Sequence, residues 1–191
     1  MKDSTKLKIL EAGAIIIRHK GFNHTGIQEI LKAAGVPKGS FYFHFKNKED
    51  FGLQVIDFFN DFFKNRAYET FNNSSIPPLE RLEMFLRGFI EFFESLDYMM
   101  GCPIGNLSQE MGDLSLEFRK KLKESVAGMV DIYSEILTEA KNRGDLSDGV
   151  DIKSTSDFIV SSWHGALVRM KIEKTAEPLE NHIYFVMNKL L

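Results

Sequence analysis

Residues 25–48 read TGIQEILKAAGVPKGSFYFHFKNK, two short helical patterns separated by a glycine and a proline. Thr25 has the residue type of a helix N-cap, and Glu29 follows in the first turn, where a carboxylate favours the helix dipole. Ile27, Ile30 and Leu31 recur at i, i+3 and i+4 and give a short helix one buried face. Ala33-Ala34-Gly35 ends it, with Gly35 suited to the positive φ of a residue just past a helix. Pro37 suits the first position of the next helix, where its missing N–H costs nothing. Two short helices joined by a tight glycine-containing turn form a helix-turn-helix.

The second helix of the pair sorts its residues by side. At about 100° per residue, Phe41 and Phe45 point back to a core, whereas Lys38, Gly39 and Tyr42 fall on the other side. A cation, a bare backbone position and a phenol together suit a helix seated in the DNA major groove. Asn47 is expected to cap the following helix with Asp50 at its third position. Lys48 then stands at a positive helix end as a phosphate clamp.

KGSFYFHFKNKEDF, preceded by TGIQEILKAAGV, resembles the DNA-binding signature of the TetR/AcrR family of bacterial transcriptional regulators. The resemblance is close over the first quarter of the chain and concerns layout alone beyond it. It rests on cap, turn glycine, proline, Gly39, Tyr42, His44 and Lys48 occurring together at fixed spacing. An ordinary helical hairpin would not need lysine, glycine and tyrosine on one exposed face. The DNA-contacting set is read as Thr25, Gln28, Lys38, Gly39, Ser40, Tyr42, His44 and Lys48. Thr25, Tyr42, His44 and Lys48 are assigned to phosphates; Gln28, Lys38 and Gly39 lie nearest base edges. His44 has a second reading, as a helix-ending donor to a backbone carbonyl. Phe43 departs from the family pattern and either meets a thymine methyl or is wholly structural.

Charge agrees once it is divided by position. The 191 residues carry a net charge of −3. Residues 1–48, however, hold nine Lys/Arg against three Asp/Glu, and the remainder holds fifteen against twenty-four. The nucleic-acid surface therefore belongs to the first quarter. Apolar residues make up 43% and there are 17 phenylalanines, enough for a sizeable core. One cysteine excludes an internal disulfide and suits a reducing, cytoplasmic setting. MKDSTKLKIL does not read as a secretory leader, and no stretch has the length and apolarity of a membrane span.

Helical patterns fill the rest, so the expected fold is all-α with about nine helices. A three-helix DNA-binding domain occupies residues 1–48, and an effector-binding and dimerisation domain occupies 49–191. Helices are expected at about 5–20, 48–71, 78–96, 104–111, 115–143, 151–174 and 178–190. Residues 72–78 form a linker. The aromatic helix 48–71 is long enough to join the two domains.

Three further sets follow. Ile159, Trp163, Ala166, Leu167 and Met170 form one stripe; Ile183, Val186, Met187 and Leu190 form another. Either they complete one protomer's core or they make a homodimer, which two DNA half-sites favour. The resemblance implies a four-helix bundle across a two-fold axis. Phe85, Phe89, Phe92, Phe93, Cys102, Tyr133, Phe158 and Trp163 are the candidate pocket for a small-molecule effector, as the family implies, although aromatics at helical spacing also make plain core. Finally, GCPIGNL (101–107) places Cys102 at a helix N-cap, where the dipole favours thiolate. This segment resembles one found in family members that sense electrophiles through cysteine; the other reading is an inert packed thiol.

No cofactor or metal is expected: the five histidines are far apart, with no HxxxH or CxxC, no phosphate-binding loop and no nucleophile elbow. An enzyme reading therefore finds no support. A DNA-binding architectural factor without an effector is the rival reading; the acidic aromatic C-terminal part speaks against it. Activator and repressor are both compatible with the sequence, with the repressor preferred.

Overall fold

The computed structural model describes residues 2–191, with side chains from residue 4 onward. The described residues form nine α-helices and a terminal π-helical turn, with no strand. In order they are α1 (Lys2–Lys20), α2 (Ile27–Ala34), α3 (Ser40–His44), α4 (Lys48–Phe71), α5 (Pro78–Glu94), α6 (Pro103–Met111), α7 (Leu116–Arg143), α8 (Ile152–Glu173) and α9 (Glu177–Phe185). The turn Val186–Leu190 continues α9 with i→i+5 spacing, where a plain α-helix was expected.

Two compact units result. One comprises Met1–Asp61 and Cys102–Ser125; the other comprises Phe62–Gly101 and Val126–Leu191. α4 and α7 each contribute to both. The first unit takes in α6 and the start of α7 because their apolar residues pack with the N-terminal helices: Phe118 is fully buried, with its ring 4.9 Å from that of Phe22.

Within this unit Phe41, Phe45 and Phe51 make a closed aromatic cluster, with ring centroids 5.0–5.6 Å apart. All three are essentially inaccessible, as the helical phase predicts for Phe41 and Phe45. Gly13 is required here. A Cβ at Gly13 would lie 2.2 Å from Cζ of Phe51, so close approach of α1 to α4 offsets the helix-propensity cost of about 1 kcal/mol. Gly35 ends α2 at φ 66°, and Val36 N–H donates to the Leu31 carbonyl at 3.1 Å, a Schellman closure.

The second unit is built on aromatic packing. Phe63, Phe85, Phe89 and Tyr133 pack with ring centroids 5.1–6.3 Å apart, and Trp163 joins at 6.4 Å from Phe89. Arg81, only 2% exposed, is fixed by three partners: its guanidinium donates to the Ile76 and Phe71 carbonyls and pairs with Glu139. It thereby closes the C-terminal end of α4, whose last carbonyls lack intrahelical donors. Nothing local in the sequence marks Arg81 for this role.

Candidate functional site

The concave surface of the first unit begins with the loop between α1 and α2. Thr25 is only 1% exposed, and its hydroxyl donates to the Gly21 carbonyl at 2.6 Å. Gly26, not Thr25, is the N-cap of α2. The Thr25 proton is thus committed inside the loop, which removes it from direct phosphate donation and makes it a loop-shaping residue. Two successive amides, Phe22 N–H and Asn23 N–H, donate to the Glu110 carboxylate at 2.8 and 2.7 Å. Lys48 Nζ donates to the Asn23 carbonyl at 3.3 Å and sits 4.6 Å above the Phe22 ring.

A groove of ≈ 710 Å³ opens over this loop, lined by Asn23, His24, Thr25, Gly26, Ile27, Gln28, Lys38, Tyr42 and Lys48. It gathers Thr25, Gln28, Lys38, Tyr42 and Lys48 from the set read in the sequence. Gly39 and Ser40, the latter the first residue of α3, are not among its lining residues; Gly39 is exposed, with open space where a Cβ would project. His44 is half-buried between the rings of Phe43 and Phe45. Asn23, His24 and Gly26 have no counterpart in the sequence expectations because a loop residue carries no periodicity that marks its direction; Ile27, expected on the buried face of α2, is half-buried and also lines the groove.

α3 is shorter than expected. It begins at Ser40, after a turn in which Ser40 N–H donates to the Pro37 carbonyl at 3.0 Å, so Pro37 precedes the turn instead of opening the helix. Tyr42 and Phe43 nevertheless stand out at 65% and 64% exposure. The cap of α4 is as expected: Asp50 N–H donates to Asn47 Oδ1 at 2.8 Å, and Lys46 N–H donates to Asp50 Oδ2 at 2.9 Å. Burial pushes the Lys48 ammonium below the usual lysine value; Glu110 pulls it partly back, and Lys20 adds to the lowering. Lys20 itself pairs with Glu29 at 2.5 Å, which holds that carboxyl below the ordinary glutamate range.

Cys102 lies in the same unit and is the N-cap of α6, with Pro103 in the first turn, as the sequence predicts. Its carbonyl accepts from Asn106 N–H at 3.0 Å. The approach to it is unusual, since Asp97, Tyr98, Met100 and Gly101 all have positive φ between 51° and 71°. No Lys or Arg lies close to Cys102 along the chain. The fold supplies Arg18, which lies within electrostatic reach; burial lowers the Arg18 pKa and the sulfur draws it back up.

In the second unit Phe85, Phe89, Phe93, Tyr133 and Trp163 are buried, and Phe92 is half-buried against Phe62 and Phe93. Phe158 departs from this set: at 55% exposure it points to solvent from α8. The dimer stripes need a corresponding correction. Ile159, Trp163, Ala166, Leu167, Met170, Ile183 and Val186 are buried within the protomer, and Met187 and Leu190 are half-buried. α8 and α9 turn these faces on each other and on the core. The apolar residues they leave exposed are Phe158, Val168 and Ile172 on α8 and Tyr184 and Phe185 on α9. His182 is buried beside Trp163, its Nε2 3.0 Å from Ser162 Oγ, and burial lowers its pKa to about 4.

Among the described residues no group of three or more His, Cys, Asp or Glu could hold a metal ion. No helix among them is long and apolar enough to cross a membrane.

A nine-helix fold with an N-terminal helix-turn-helix and a basic groove defines a helix-turn-helix transcriptional regulator. The chain belongs to the tetR family of bacterial regulatory proteins: that family's N-terminal description matches residues 9–55, and "Tetracyclin repressor-like, C-terminal domain" matches residues 78–185. It is similar to the HTH-type transcriptional repressor DhaR of Mycobacterium sp. (strain GP1), with 35% identity over 184 residues, 96% of this chain and 90% of that protein. The crystal structure of regulatory protein TetR from Rhodobacter sphaeroides is 34% identical, with a TM-score of 0.91, covering 97% of this chain and 98% of that one. The reduced form of E. coli NemR is 27% identical, with a TM-score of 0.88 and 98% of both chains covered.

Proposed function

We propose that this protein is a repressor that binds an inverted repeat in duplex DNA as a homodimer and is released by a small apolar or electrophilic effector. The observation that carries the reading is the groove in which Gln28, Lys38, Tyr42 and Lys48 converge. Lys48, Tyr42 and His44 supply phosphate donors; Gln28 and Lys38 reach base edges, and Gly39 lets the backbone approach. A phosphate competes with the Asn23 carbonyl for the Lys48 ammonium, and the anionic acceptor is favoured over the neutral carbonyl. The similar protein DhaR carries the name of a repressor, which supports that sign of regulation. The action is binding, not catalysis.

The exposed apolar residues Phe158, Val168 and Ile172 of α8 and Tyr184 and Phe185 of α9 belong to the dimer surface on this proposal, which would bury large side chains that the protomer alone leaves in solvent. The aromatic cluster around Phe89 takes an apolar effector. Cys102 takes an electrophile: a Michael acceptor adds to the thiolate sulfur with no oxidant required, and Arg18 favours the anion that attacks. Similarity to a protein crystallised in a reduced form is consistent with thiol chemistry here.

Selection from a random duplex pool tests the central reading. The expected result is an enriched inverted repeat with half-sites about 34–36 Å apart; no sequence preference would overturn it. For the effector, a quinone should release DNA from the wild type and leave Cys102→Ser bound. Equal release from both would remove Cys102 from the mechanism.

A further inference from the structure

Glu110 stands at the other end of α6 from Cys102, one residue before the helix closes. Both of its carboxylate oxygens are engaged by one loop: Oε2 accepts from Phe22 N–H at 2.8 Å and Oε1 from Asn23 N–H at 2.7 Å. The next residue also reaches that loop, since Met111 Sδ accepts from Asn23 Nδ2 at 3.4 Å. The loop in turn holds the groove. Asn23 offers its carbonyl to Lys48, and Thr25 ties back to Gly21. The end of α6 therefore sets the shape of residues 21–25, which line the groove through Asn23, His24 and Thr25.

The sign of the charge makes this arrangement informative. A carboxylate beside Lys48 reduces the positive potential of a surface meant for phosphates. On charge alone, its loss should tighten DNA binding. On geometry, its loss frees two N–H groups and the loop they fix, which should weaken binding. The two accounts predict opposite signs.

We propose that Glu110 is a positioning residue for operator binding, clamping the Phe22 and Asn23 amides so that the position of α6 governs the groove. This rests on the reading of the groove as the operator surface. α6 is nine residues long, about 13 Å at 1.5 Å per residue, and rigid on that scale. A displacement at its Cys102 end moves the clamp at its Glu110 end. The strained approach through residues 97–101 leads directly into that helix.

The test uses Glu110→Gln, nearly isosteric and neutral, and Glu110→Ala, which removes both acceptors. The glutamine keeps one acceptor but turns an NH₂ group toward the other amide. Hydrogen exchange on the full chain without DNA should speed up at the Phe22 and Asn23 amides by ~10-fold or more in each variant, with α1 amides unchanged. Affinity for the selected inverted repeat should fall ~10-fold or more in Glu110→Gln, with weaker discrimination from an unrelated duplex. Unchanged exchange at the two amides overturns the clamp, whatever the DNA result. Faster exchange with equal or tighter operator binding overturns the positioning role and leaves only the charge effect. If Glu110→Ala does not fold, Glu110→Gln carries both measurements. The exchange measurement needs no DNA, so its failure is separable from a failure of the operator reading, which would appear as a wild type without sequence preference.

Discussion

α3 and α5 are both aromatic, and their rings meet opposite fates. In α5, Phe85, Phe89 and Phe93 follow one another at four-residue spacing and are 1–7% exposed. In α3, Phe41 and the capping Phe45 are buried, while Tyr42 and Phe43 between them are about two-thirds exposed. Length explains part of the contrast. A seventeen-residue helix offers a full apolar face, whereas a five-residue helix has a single turn to bury. The rest is function. Each exposed ring forgoes about 1.5–3 kcal/mol of burial, and α3 leaves two adjacent rings out beside Lys38 and Gly39.

The largest expected effects break this contrast directly. Phe45→Ala and Phe85→Ala should each cost about 3–5 kcal/mol in denaturant unfolding. Tyr42→Ala and Phe43→Ala should stay within about 0.5 kcal/mol, and Tyr42→Ala should still weaken operator binding. A Phe43 substitution as costly as Phe45→Ala would show that α3 buries both of its sides. Next comes Arg81→Ala, expected to cost about 2–4 kcal/mol because it orphans the Phe71 and Ile76 carbonyls as well as breaking an ion pair. Arg81→Lys should recover little, since an ammonium does not span three acceptors in one plane.

A pH measurement sharpens the comparison from the aromatic side. His182 is neutral in the folded state with a pKa of about 4, against about 6.5 when unfolded. Between those values the unfolded chain binds the extra proton, so stability is present above pH 6.5 and is lost as pH falls toward 4. The loss attributable to this group is at most on the order of 3 kcal/mol. His182→Gln should remove that part of the acid slope; identical slopes in both proteins would show that His182 is not its source. A smaller effect than those of Phe45, Phe85, Arg81 and His182 belongs to the groove. Lys48→Ala should lower affinity for all duplexes and reduce the salt slope by about 0.9, one phosphate contact. Stability should drop only about 0.5–1 kcal/mol from the lost contact with the Phe22 ring. An unchanged salt slope would take Lys48 out of the phosphate set.

Much of the groove was legible because its elements are short-range. Gly35, the Asn47–Asp50 cap and the buried phase of Phe41 and Phe45 depend on residues within about four positions, and the structure reproduces each. The boundary errors have the same origin. Thr25 and Gly26 both suit an N-cap; the choice fell to Gly26 because the Thr25 hydroxyl found the Gly21 carbonyl. Pro37 suits a first helical position, yet the turn closed by Ser40 delayed α3.

What the sequence alone determined is therefore the set of helices, the helix-turn-helix and its basic setting, since periodicity, caps and charge are written locally. The tertiary structure decided which face of each helix has a partner. α8 carries apolar residues on more than one side, so its pattern could not say that Ile159, Trp163 and Leu167 would turn inward and leave Phe158, Val168 and Ile172 outside. It also decided which distant groups meet. Glu110 reaches Phe22 across 88 positions, Arg81 reaches Glu139 across 58, and Arg18 comes within reach of Cys102. Such pairs leave no periodic trace: a side chain's type declares what bond it can make, and only the packing of the helices brings the partner to it.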